Sequence, residues 1–455
     1  MRISSVVLAA GLVGVGFGLT LHAAAAPADC AALLRHGRRG EAKACYTALV
    51  SSADPYLRAE GFWGVEQYED ANKEFRTAVA QSDRPGNNAT NAHDRVRWGR
   101  LMHERFNDKV AGDLFHEALE RDPKNADAYV GLGIVSAELF NKKAREYLDK
   151  ALELNPKLFE AREVLADLAL DDSDYAEASK QADAALQISS DALDAIAAHA
   201  AMELLADRSP DEWIGKMLQI NSTYGKGYAL IAAQLVIHMR YEEGVAYYRK
   251  AVEVDPRLWS ARSQLAIQLM RLGQEEEPRQ QLLLSFNNGF RDAATANSLK
   301  LLDSYKNFET FKDKTTILRL YKNEAPLLRP YFDDILKRAL ATYQKKYNMT
   351  LPDPVQVEVY PNHDDFAVRT LGLPGLGASG VTFGEVVAMD SPSGQKPGSF
   401  NWASTLWHEL DHVFILTETK HRVPRWFAEG LAVHEEKQAN PRWAYQLTPE
   451  IVVAM

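Results

Sequence analysis

A two-residue signal returns along most of this chain at an almost constant interval. It reads Asp54-Pro55, Asn87-Asn88, Asp122-Pro123, Asn155-Pro156, Ser189-Ser190, Asn221-Ser222, Asp255-Pro256 and Asn287-Asn288. The steps between successive signals are 33, 35, 33, 34, 32, 34 and 32 residues. An amphipathic stretch precedes each, such as Ala144 to Leu154 (AREYLDKALEL), and another comes after it, such as Ala161 to Leu170 (AREVLADLAL). A period near 34 built from two amphipathic helices specifies a stacked array. One helix pair cannot bury its own apolar stripe, so neighbours must cover it. Asp, Asn or Ser followed by Pro is expected to end one helix and cap the next.

This pattern resembles the tetratricopeptide repeat family. Small residues recur where helices of that family pack closely: Gly131 and Ala151, then Ala161 and Ala166, then Ala246 and Ala251. The clearest units span 91–190 and 222–290, and the unit around Trp213 has a short second helix. The resemblance implies an α-solenoid over residues 26–300 whose concave face binds a protein partner. The alternative is that the array only spaces or stabilises the C-terminal part of the chain.

Composition adds exclusions. The 455 residues are 46% hydrophobic and 25% charged, which is globular rather than disordered. Lys+Arg total 52 against 62 for Asp+Glu, a net charge of -10, so no whole-chain basic field for nucleic acid exists. Residues 1–25 read as a signal peptide. Arg2 precedes an apolar run from Val6 to Leu21, and Ala23 and Ala25 form an A-x-A cleavage pattern. The rival reading is an uncleaved anchor, which Gly11, Gly14, Gly16 and Gly18 disfavour. Export makes the chain periplasmic or secreted, with no membrane span after cleavage. In that compartment Cys30 and Cys45, the only cysteines, are expected to pair and staple the first hairpin, with two buried thiols as the alternative.

The pattern fades after residue 300. Thr315 to Tyr321 and Val355 to Tyr360 read as strands, with a long helix from Leu327 to Tyr347 between them. Gly380 to Gly384 and Glu385 to Asp390 read as two short strands, and Asn401 to Thr417 as a helix. The fold class is therefore mostly α, a solenoid followed by a smaller α+β module at 301–455.

That last helix carries His408-Glu409-Leu410-Asp411-His412. Histidines at i and i+4 share one helix face, so both imidazoles reach one zinc ion. Glu409 lies about 100° round the helix, beside the metal. The apolar stripe Trp402, Leu406, Leu410, Val413 and Phe414 is roughly opposite. Then comes Pro424-Arg425-Trp426-Phe427-Ala428-Glu429-Gly430-Leu431, which offers a carboxylate on a second helix. Two histidines and a glutamate leave a fourth position for water.

The pairing of H-E-L-x-H with W-F-x-E-G resembles the gluzincin clan of zinc metallopeptidases, nearest to peptidase-MA-like families that carry tetratricopeptide repeats. The resemblance covers residues 303–450. It implies His408, His412 and Glu429 as zinc ligands. Glu409 is then the catalytic base on a zinc-held water, and peptides or proteins are the substrate. It also implies that Gly380 to Asp390 is the edge an extended peptide pairs with. Asp411 departs from the usual small or apolar residue and is expected to be solvated, the alternative being a partner of the ligands. The chain ends 26 residues past Glu429, where relatives carry a further helical segment, so the module is expected to be incomplete. His421, His434 and Tyr445 remain as transition-state donors that spacing does not separate. The four tryptophans 402, 407, 426 and 443 are expected in the core. The reading from a different class is a non-catalytic periplasmic repeat scaffold with a degenerate peptidase-like module.

Overall fold

The computed structural model describes residues 26–139, 141–396 and 398–443. The expected signal peptide and Tyr445 lie outside the described residues. The described residues divide into two compact units, the first ending at Gln81 and the second beginning at Ser82.

The first unit contains two helix pairs, α1 (Pro27–Arg35) with α2 (Arg39–Val50) and α3 (Pro55–Gly64) with α4 (Tyr68–Ser82). Cys30 and Cys45 form the expected disulfide, which ties α1 to α2. Cys30, Ala42, Tyr46 and Leu49 bury the apolar side of that hairpin.

The second unit continues with six pairs. They are α5 (Asn88–Glu104) and α6 (Asp108–Arg121), α7 (Ala126–Glu138) and α8 (Lys143–Leu154), α9 (Phe159–Asp171) and α10 (Tyr175–Ile188). Next come α11 (Leu193–Leu205) and α12 (Asp211–Ile220), α13 (Gly225–Ile237) and α14 (Tyr241–Val254), α15 (Trp259–Arg271) and α16 (Glu276–Asn287). A single helix, α17 (Ala293–Ser304), closes the array. At ten residues, α12 is the short helix expected near Trp213.

The periodic dipeptide ends helices but seldom caps the next. Asp122, Asn155, Asn221 and Asp255 are the residues on which helices stop. Each turns the chain by accepting from the N–H two residues on, at 2.9–3.2 Å. The following helix starts three residues later, at N-caps such as Asn125 and Leu158. The extended backbone at the first residue takes the chain out of the helix before a cap can form. Asp54 alone among these caps directly, accepting from Tyr56 at 2.9 Å.

A second periodic feature sits inside the pairs. The turn between the two helices passes through a left-handed residue at Gly37, Glu66, Phe106, Ser173, Asp207, Met239 and Gly273. The next N–H donates five residues back, as Asn107 to Met102, Arg208 to Glu203, Arg240 to Leu235 and Gln274 to Leu269. This is the Schellman closure of a helix end. Close packing explains the small residues: a Cβ on Gly99 or Gly131 would approach the Phe115 ring within 2.7 Å. Ala246 is not one of them. It is exposed, and the packed position is Gly244, where a Cβ would meet Val236 at 2.6 Å.

The remaining elements are β1 (Phe308–Lys312), β2 (Thr316–Tyr321), α18 (Ala325–Tyr347), β3 (Val355–Tyr360) and α19 (His363–Leu371). They are followed by β4 (Gly380–Thr382), β5 (Val386–Asp390), α20 (Trp402–Thr419) and α21 (Arg425–Ala439). The sheet order is β1-β2-β3-β5-β4, with β2, β3 and β5 parallel and both outer strands antiparallel to their neighbours. Every residue of β3 and β5 is buried, because the sheet is covered on both faces. Val355, Val357, Val359, Val387 and Met389 pack on α18 and α20. Tyr360, Phe383 and Ala388 pack instead with Tyr241, Ala266, Met270, Leu301 and Leu302 of the repeat array. The last repeats and the sheet therefore share one core. Gly273 shows how close they come. Its φ is +79°, and a Cβ there would meet Gln356 at 3.1 Å and Val386 at 3.2 Å.

Candidate metal centre

Asn401 starts α20 by accepting from the backbone N–H groups of Ala403 and Ser404. Leu406, Leu410, Val413 and Phe414 then bury one stripe against the sheet and α18. This fixes the rotation of the helix and turns His408 and His412 towards α21. Their rings lie 4.7 Å apart and nearly perpendicular, with the two Nε2 atoms 3.0 Å from each other. Glu429, on the second turn of α21, brings Oε2 to 3.4 Å from His408 Nε2 and 3.6 Å from His412 Nε2. The three candidate ligands come from positions 408, 412 and 429 to one point, with their ligand atoms within 4.8 Å of one another.

The donor set fits zinc. Bonds of roughly 2.0–2.1 Å at tetrahedral angles separate ligand atoms by ~3.3 Å, and the three observed separations straddle that value. Two neutral imidazole nitrogens and one carboxylate are the hydrolytic zinc set, with one position left open.

Electrostatics around the ligands are set by carboxylates. Burial disfavours the charged imidazolium of His408, but hydrogen bonds to Glu429 and Glu436 outweigh it and its pKa rises to about 10. Hydrogen bonds from His408 and His412 hold the Glu429 carboxyl far below the usual range, against its partial burial. Glu436 is a residue that motif reading missed. Its Oε1 lies 2.6 Å from His408 Nδ1, and its other oxygen accepts from the Ser404 hydroxyl. Accepting a hydrogen bond from Nδ1–H keeps that proton in place and leaves Nε2 as the lone-pair atom of the neutral ring. A signal was present: Glu436 lies seven residues after Glu429, two turns along the same face of α21.

Glu409 is buried against the sheet edge. The Thr382 hydroxyl donates to Glu409 Oε2 at 2.7 Å and also to its backbone carbonyl at 2.9 Å. Gly380 makes room for it, since a Cβ there would stand 2.8 Å from Glu409 Cγ and Oε1. Strand β4 is thus both the outer edge of the sheet and one wall around the carboxylate.

Two expectations are corrected. Asp411 is not solvated: it is 0% exposed and accepts from the Tyr347 hydroxyl at 2.6 Å. It lies on the α18 side of α20, where burial raises its pKa to about 6 against the pull of that bond. Trp426 is not in the core but 72% exposed at the start of α21, next to a half-exposed Phe427. Trp402 and Trp407 do pack inside, against Phe332 and Tyr343. Of the donor candidates, His434 is exposed and His421 lies against Tyr241, 5.9 Å between ring centres. Among the described residues, neither joins His408, His412 and Glu429 in the cluster of candidate ligands. Among the described residues, no helix is long and apolar enough to cross a membrane.

Comparison with known proteins speaks to the array. Residues 140–192 and 240–258 each match a family model described as tetratricopeptide repeat. The chain contains tetratricopeptide repeats. Similar solved structures include a tetratricopeptide repeat protein from Parabacteroides merdae, at 16% identity. The match covers 57% of this chain and 98% of that one, with a TM-score of 0.39. A thermophilic TPR protein of Thermus thermophilus is 18% identical over 39% of this chain and 99% of its own, at a TM-score of 0.33. A human IFIT1 dimer with PPP-AAAA is 19% identical over 57% of this chain and 66% of its own, at a TM-score of 0.37. No curated protein matches the chain.

Proposed function

We propose that the tetratricopeptide array binds a protein partner and that the α+β module is a zinc-dependent peptidase centre of an exported protein. The observation that carries the second part is the convergence of His408, His412 and Glu429 beside the buried Glu409. His408, His412 and Glu429 would hold the ion. Zinc, when bound, supplies a Lewis acid that polarises a carbonyl and lowers the pKa of water to about 7. Glu409 is the base in this reading, oriented by Thr382 so that one oxygen is fixed and the other is available for a proton. Glu436 keeps the His408 ring in the tautomer that a ligand needs. The outer edge of β4 offers backbone groups to an extended peptide running past Glu409.

The comparisons by themselves favour a second reading, a repeat scaffold whose module binds without turnover. The matched residues 140–192 and 240–258 lie in the repeats. Zinc analysis with proteolysis on broad peptide libraries separates the two, using wild type and Glu409→Gln. One equivalent of zinc in both, with cleavage only by wild type, supports the peptidase. Zinc in both with no cleavage by either leaves the scaffold as the function. No zinc in wild type removes the metal centre.

A further inference from the structure

Two of the three ligands sit on α20, but Glu429 reaches the site only through the connection Lys420–Pro424 and the first turn of α21. That connection is strained. Lys420 and His421 are consecutive non-glycine residues with φ of 50° and 61°, a left-handed conformation that persists where its surroundings hold it. The start of α21 gives it little support: Pro424, Arg425, Trp426 and Phe427 are all exposed. The deep anchors of α21 are further along, at Glu435 to Lys346 and Glu436 to Ser404 and His408.

What grips the connection is the repeat array. Arg422 makes a bidentate contact with Asp207, with Nε 2.8 and 2.9 Å and Nη2 2.6 Å from the carboxylate oxygens. Its remaining nitrogen donates to the Lys420 carbonyl at 2.7 Å and closes the strained turn. Asp207 is the left-handed residue of the α11–α12 turn. Arg240, from the α13–α14 turn, lies 3.2 Å from the same carboxylate and also pairs with Glu243, which is 3.6 Å from Arg422. Beside this network the ring of His421 stands edge-on to Tyr241, close to Gly384 in the β4–β5 turn. The turns of two successive repeats thus meet the one segment that sets where Glu429 stands. Glu429 is four residues into α21, about 6 Å along its axis, so a shift of the connection carries over to the ligand.

We infer that the solenoid completes the metal centre: Asp207 and Arg422 are positioning residues that fix Glu429 against His408 and His412. This rests on reading those three residues as metal ligands. The test is zinc affinity of the full chain by competition with a chromophoric chelator. The variants are Arg422→Gln, Asp207→Asn and the double variant, each checked for unaltered thermal unfolding without metal. Asn tolerates the left-handed turn at 207, so only the charge is removed. Each single variant should weaken zinc binding by about three- to tenfold, less than the 10- to 100-fold of a group that touches a ligand directly because the contact acts through the connection, and the double variant by less than the product of the two, since both remove the Arg422–Asp207 contact. Hydrogen exchange should quicken in residues 420–429 and not in α20. Zinc affinity equal to wild type in both single variants overturns the inference while leaving the metal centre intact. Absence of zinc binding in wild type overturns the inference and the metal centre together.

Discussion

Glu358 tests whether the sheet and the repeats form one body. It is 1% exposed on β3, on the face that meets the array. Arg369 Nε donates to its Oε2 at 2.6 Å and the Tyr360 hydroxyl to the same oxygen at 2.6 Å. Gln356 and Arg319 donate to Oε1 at 2.6 and 3.2 Å. Both arginines also hold the array, Arg369 through the Met270 carbonyl at 2.7 Å and Arg319 through Glu275. Burial alone would raise this carboxyl, but Arg369 and then Arg319 overcome it and the pKa falls from 4.5 to about 2. At about 1.4 kcal/mol per tenfold in acidity, that displacement contributes about 3 kcal/mol at neutral pH. Removing one member of a buried pair costs about 3–5 kcal/mol, so the two routes agree. Glu358→Gln keeps the shape and removes the charge, leaving the Arg369 guanidinium without its anion and Arg319 with Glu275 alone. It should cost about 3–5 kcal/mol at pH 7, read by urea unfolding together with exchange protection of β3 and α19. The group is a depressed carboxylate, so its contribution is complete above pH 4.5 and is lost as pH falls towards 2. The gap between wild type and variant must therefore narrow on acidification. A difference below about 1 kcal/mol at pH 7, or one that stays constant between pH 7 and 3, refutes the argument.

Two further outcomes concern the site. Gly380→Ala places a methyl 2.7–2.8 Å from Thr405 Cγ2 and Glu409 Cγ, so Glu409 must move while the three ligands stay. Zinc titration should be unchanged and peptide hydrolysis should fall about a hundredfold or more, and retained hydrolysis would show that Glu409 does not act from this position. Glu436→Ala removes the acceptor for His408 Nδ1 and should weaken zinc binding about 10- to 100-fold, and unaltered affinity would mean that the His408 ring is oriented by packing alone.

Most of the fold is legible in the sequence because the signals are local. The 34-residue interval reflects a turn chemistry repeated once per pair, and the alternation in Val355–Tyr360 reflects a sheet face. Local reading fails where partners are far apart in sequence. Strand β1 escapes it because Phe308–Lys312 alternates only weakly and holds its place by pairing with β2. Helix α19 escapes it because its meaning lies in Arg369, whose carboxylate partner is on β3 and whose carbonyl partner is on α15. The packed small residue of α14 is two positions from Ala246 because small residues at 244, 246 and 251 all suit a packed helix, and only the register of α14 decides among them.

The same division runs through the candidate site. His408, His412 and Glu409 are fixed by one helix period, and Glu429 by a short second motif, so spacing suffices to name them. Their surroundings are not spaced at all. Thr382 and Gly380 come from the sheet edge, Tyr347 from α18, and Asp207 lies 215 residues from Arg422. Ligand identity is thus a property of two helices, whereas ligand position is a property of the whole second unit. In the proposed reading, a repeat array that grips the connection between those two helices joins partner binding to the metal centre through one short segment. On that proposal, any partner that shifts the α11–α12 or α13–α14 turn acts on the residues that hold Arg422 and His421, and so on the distance of Glu429 from the two histidines.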